Sequence, residues 1–125
     1  MIKKLVALTM MIVLCAAGVA LAQTEWVQYP DNPVIGPGDP GAWDSHHRVS
    51  GAVIFDGSVF HMWFVGGDTS TGEGDGIGHA TSTDGVEWTM DPANPVLMRG
   101  EPGEWDDYTL WLPAVVYDGS QFHMW

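Results

Sequence analysis

The chain has 125 residues, with 16 acidic side chains against 4 basic, a net charge of −12, 16 glycines, 8 prolines, 7 tryptophans and one cysteine. That charge argues against nucleic-acid binding, which needs clustered Lys and Arg to meet phosphate. A hydrophobic content of 46% argues against a disordered acidic tail, and so much Gly and Pro suits strands and turns rather than a helical bundle.

In chain order, residues 1–22 read as a secretory signal peptide. Lys3 and Lys4 form a basic start, Leu5 to Val19 an apolar stretch, and Ala20-Leu21-Ala22 a small-residue cleavage site before Gln23. The mature chain, 23–125, is then expected outside the cytoplasm, extracellular or periplasmic, with no membrane segment left. Cleavage removes Cys15, so no disulfide is expected. Arg48 and Arg99 alone then oppose all 16 acids. Such a surface repels anionic polymers and is compatible with neutral ligands such as sugars.

A repeat organises the remainder. Asn32-Pro33-Val34 returns as Asn94-Pro95-Val96, Trp43-Asp44 as Trp105-Asp106, Asp56-Gly57-Ser58 as Asp118-Gly119-Ser120, and Phe60-His61-Met62-Trp63 as Phe122-His123-Met124-Trp125. All are offset by 62 residues, and 20 of the 39 positions in 25–63 are identical in 87–125. Self-similarity at a fixed period marks an array of like units.

One unit predicts four strands, at 49–55, 59–65, 77–82 and 86–90. Asp56-Gly57 and Asp84-Gly85 are expected as tight hairpin turns, and 66–76 as a loop. Four antiparallel strands per repeat point to an all-β fold, a β-propeller built of four-stranded blades. The chain would hold roughly one and a half blades, as the N-terminal part of a longer protein. Glu25-Trp26, which matches the fourth strand of the unit, is expected to close the ring. The long loops share one face, and binding groups are expected there.

Residues that recur in both units read as scaffold: Trp43 and Trp105, His61 and His123, Trp63 and Trp125, Asp56 and Asp118. Residues 82–88, Ser-Thr-Asp-Gly-Val-Glu-Trp, resemble the Asp-box turn of sialidase-like propellers. The segments that differ are 44–50 and 106–112. Asp44, Asp106 and Asp107 are the candidate catalytic carboxylates there, since glycoside hydrolysis needs a carboxyl pair. Turn capping is the competing role for Asp44 and Asp106. His46, His47, Arg48, Tyr108 and Trp111 are the candidate contacts to sugar hydroxyls and ring faces. His46-His47 has no third ligand nearby, so no metal site is predicted. Asp68, Glu73 and Asp75 carry oxygens of the kind Ca²⁺ takes, but their spacing fits no EF-hand loop, and a solvated hairpin loop is the simpler reading. No cofactor is expected.

The combined motifs resemble the five-bladed propeller glycosidases, the arabinanase, levansucrase and invertase superfamily that includes glycoside hydrolase families 43, 32 and 130. The motifs are Asn-Pro-Val-Ile/Leu, Trp-Asp, Asp-Gly-x-x-Phe-His-Met-Trp and Ile-Gly-His-Ala-Thr-Ser-x-Asp-Gly-Val-x-Trp, and the likeness spans 25–125. It implies a secreted hydrolase acting on arabinose-, xylose-, fructose- or mannose-containing glycans, with acids on inner strands and a Glu in the third blade. Family 43 members carry a base Asp in an Asp-Pro pair. The matching positions here are Ser50-Gly51 and Leu112-Pro113, so any acid would come from Asp44, Asp106 or Asp107. A carbohydrate-binding propeller without activity and a structural repeat domain are the alternatives.

Overall fold

A computed structural model describes residues 25–68 and 73–125, and the signal peptide expected at 1–22 lies outside them. The described chain is all-β, without helix. Its strands are β1 (His47–Phe55), β2 (Phe60–Asp68), β3 (Glu73–Ser82), β4 (Thr89–Met90), β5 (Leu97–Met98), β6 (Val115–Tyr117) and β7 (Phe122–Met124). β1 to β4 lie side by side in chain order and antiparallel, β5 pairs with β3, and β6 and β7 form a separate hairpin.

The turns are built by aspartates. Asp56 Oδ1 accepts the backbone N–H groups of Ser58 (2.7 Å) and Val59 (2.8 Å). The central turn residues are therefore Gly57 and Ser58, one place later than expected, because the capping carboxylate must stand first. Gly57 takes φ +103°, a region closed to most side chains. Asp118 caps Ser120 and Gln121 in the same way in the second unit. Asp84 Oδ1 accepts from Val86 and Glu87, and Trp88 Nε1 donates to Gly85 O. That turn takes residues 83–88 out of the sheet and shortens the expected fourth strand to Thr89–Met90.

The edge of β3 is completed in two pieces. β4 pairs with Ala80 and Thr81, and β5 with Gly76 and Ile77. Between them Asn94 substitutes for strand backbone: its Oδ1 accepts from His79 N (2.7 Å) and its Nδ2 donates to His79 O (2.9 Å). Pro95 has no N–H to offer a ladder, so a side-chain amide supplies both bonds. This gives the Asn-Pro-Val motif a structural use. Residues 25–29 form no strand, and Trp26 stands in solvent.

β2 is buried on both faces. On one, Trp63 packs with Ile77 of β3 and with Leu110 and Val115 of the second unit, flanked by Ala52, Ile54 and Phe122. On the other, Phe64 stacks on Trp43, with ring centroids 6.0 Å apart. Fully burying such a side chain contributes about 1.5–3 kcal/mol. The expected loop at 66–76 is largely strand, since β2 runs to Asp68 and β3 begins at Glu73. The glycines serve close approach rather than turning: a Cβ on Gly66 would meet Asp44 and Trp43, and one on Gly67 would meet Asp75 and His47.

Asp56, Asp84, Asp91 and Asp118 all titrate below the usual carboxylate range. Backbone N–H groups are the leading cause for the first three, and His123 for Asp118. A carboxylate depressed in the folded state contributes stability above its unfolded pKa of about 3.9 and loses it as pH falls toward the folded value. The thermal midpoint is therefore expected to drop below about pH 4, which a pH series of melting curves followed by circular dichroism checks.

Candidate functional site

The segments before β1 and before β6 fold alike. Gly38 N donates to Asp44 O and Gly100 N to Asp106 O; Ala42 N donates to Asp39 O and Glu104 N to Glu101 O. Each is a pair of residues 62 apart in sequence. In each unit the Asp carboxylate lies over the Gly, where any side chain would collide with it. The shared geometry therefore gives Asp44 and Asp106 a common structural place.

The two differ in what meets the carboxylate. Asp44 is 3% exposed, and its Oδ2 accepts from Arg48 Nε at 2.6 Å. Arg48 also donates to Gly36 O and lies over the Phe64 ring, 5.5 Å from its centroid. This charge-assisted bond answers a buried carboxylate with a fixed cation. In the second unit Leu110 replaces Arg48 and turns into the core beside Trp63. Asp106 is half-buried beside Glu104 and Gly100. Asp107 Oδ2 accepts from Gly103 N at 2.6 Å, and its backbone O accepts from Arg99.

Asp75, at the start of β3, joins the two units. Thr109 Oγ1 donates to its Oδ2 at 2.5 Å, and His47 Nε2 lies 3.5 Å from its Oδ1. His47 and Thr109 occupy equivalent positions, 62 residues apart. His47 Nε2 is buried and makes no hydrogen bond, so a histidine nitrogen and a carboxylate face each other without a bond between them. Asp68, on the neighbouring strand end, accepts from Ser45 Oγ at 3.0 Å. These two acids lie in the stretch considered for Ca²⁺. Among the described residues no three His, Cys, Asp or Glu side chains converge to hold a metal ion.

A cleft of about 600 Å³ opens beside this point, lined by Met98, Arg99, Glu101, Pro102, Asp107 and Tyr108 with Gly100. Tyr108 is 86% exposed at its rim. Trp111 is also exposed, and His46 stands in solvent with its ring edge to face with His47. Of the candidates read from sequence, Asp107 and Tyr108 line the cleft, and His47 meets Asp75 next to it through Thr109. Asp44 and Arg48 bond to each other instead. Sequence reasoning grouped Asp75 only with a solvated loop and passed over Thr109. The signal for both was the 62-residue offset between His47 and Thr109, read together with a strand register that sequence did not supply.

No protein-family model, no curated protein and no solved structure matches this chain.

Proposed function

We propose that these units are successive blades of a five-bladed β-propeller whose long-loop face binds and hydrolyses neutral glycans. One observation carries the reading: equivalent positions of the two units meet. Pro113 fills the space where a Gly51 side chain would stand, its Cδ 2.5 Å from that Cβ position, and the two residues are 62 apart. His47 and Thr109 likewise share Asp75. Equivalent points of units turned about an axis come together only close to that axis. The innermost strand is then β1, and the mouth above it is the natural ligand site of such a ring.

Neutral sugars suit a mouth that offers carboxylates, a histidine and an exposed tyrosine. Hydrolysis needs one carboxyl group to protonate the leaving oxygen and a second to act as base or nucleophile. Asp75 and Asp107, on either side of Tyr108-Thr109, take these roles. Asp44 stays a structural anion because Arg48 holds it.

The full-length protein with Asp75→Asn is expected to release sugar from arabinan, xylan or fructan about 100-fold more slowly or worse, the contribution of a general acid or base, while still being retained by the polysaccharide in affinity electrophoresis. A second reading, glycan binding without cleavage, draws on the engagement of Asp44 by Arg48 and of Asp107 by Gly103. Retention with no release by wild type selects that reading. Neither release nor retention overturns both.

A further inference from the structure

Away from the loop mouth, four ionisable side chains form one line across the sheet. Asp56 Oδ2 lies 3.2 Å from His61 Nε2, His61 Nδ1 lies 3.0 Å from His79 Nε2, and His79 Nδ1 lies 3.1 Å from Asp91 Oδ2. Each link needs one proton. An ionised carboxylate only accepts, so both outer protons sit on the rings, and the middle link needs a third. Two neutral imidazoles carry two. The filled line therefore contains one proton more, an imidazolium shared by two rings between two carboxylates.

The surroundings suit that charge. Among the described residues, the ionisable groups bonded to these rings are Asp56, from the turn between β1 and β2, and Asp91, from the segment after β4. Trp63 of β2 faces both rings, with centroids 5.9 Å from His61 and 5.0 Å from His79. Phe122 of β7 lies 4.6 Å from His61. Aromatic faces attract a cation at these separations. Both carboxylates stay ionised well into acid, held first by backbone N–H groups and then by the histidines. Phe122 belongs to the second unit, so the charge lies on the boundary between units. The first link recurs within the second unit, with Asp118 Oδ2 2.8 Å from His123 Nε2.

We infer that the His61–His79 pair is a one-proton binding site whose charge fastens the first unit to the second. Removing the proton breaks one of the three links and takes the cation from beneath Phe122. The inference does not depend on the glycan reading, because none of these residues lies at the loop mouth.

Nitrogen NMR of the imidazoles in the uniformly labelled protein tests it, with the ring protons counted at about pH 5.5 and about pH 9, either side of the ordinary histidine range. The expected count is three protons on the pair at the lower pH and two at the higher, lost in one step. The Phe122 ring signals should move in the same step. In His79→Gln, which keeps a side-chain amide in place of the second ring, the Phe122 shift should no longer follow a two-ring titration. Two ring protons throughout, four at the lower pH, or a Phe122 ring indifferent to the step would each overturn the proposal. The wild-type titration decides it even if the variant does not fold.

Discussion

Arg48→Ala is expected to destabilise the chain by about 3–5 kcal/mol, the usual consequence of leaving one partner of a buried ion pair alone. Asp44 is 3% exposed and meets the guanidinium at 2.6 Å. Without Arg48 its carboxylate stays under the loop with no cation, because the Gly38–Asp44 backbone bond holds the turn in place. Truncation also uncovers one face of Phe64 and frees Gly36 O. Urea unfolding followed by tryptophan fluorescence measures the loss. The second unit supplies the control. Leu110 stands at the place of Arg48 there and packs into the core. The double variant Asp44→Asn with Arg48→Leu should therefore recover much of what Arg48→Ala loses, since both charges leave together. A single variant that unfolds at the wild-type urea concentration would show that Asp44 is reached by water.

Phe64→Ala is expected to cost a further about 3–5 kcal/mol, the range for deleting a buried aromatic ring. Phe64 has no exposed surface, and it separates Trp43 and Arg48 from the floor of the sheet. Gly78, its partner on β3, has no side chain because the ring occupies that space. The cavity left by alanine therefore has a bare glycine backbone as its far wall. Small domains have only about 5–15 kcal/mol of stability in total, so Phe64→Ala should abolish cooperative melting or bring it close to room temperature. Differential scanning calorimetry reads this directly. A melting transition within a few degrees of wild type would mean that the Trp43 loop collapses onto the sheet and fills the space.

How legible the molecule was depends on the range of each interaction. Hairpin turns are decided within about five residues, so the turns at Asp56, Asp84 and Asp118 were readable, although the first is centred one place later and the second extends over residues 83–88. Strand positions followed from apolar runs broken by those turns. The glycines at 66, 67 and 76 misled, because a glycine needed for close approach looks in sequence like a glycine needed for turning. The use of Asn94 as two rungs of a ladder was likewise invisible, since it depends on the edge of β3 at His79, 15 residues away.

Asp107 and Tyr108 stood out in the sequence because they break the repeat, and both line the cleft. Asp75 was not singled out, because its partners come from positions 47 and 109, brought together only when two units pack. By itself the sequence determined a 62-residue unit, four antiparallel strands within it and the Asp-Gly turns, since periodicity and turn chemistry are local. Which carboxylate is neutralised by Arg48, which faces a histidine across the unit boundary, and which two imidazoles must share a proton were decided only by tertiary structure. Those outcomes depend on strand register and on the contact between units, where a single position such as Arg48 or Leu110 meets entirely different neighbours.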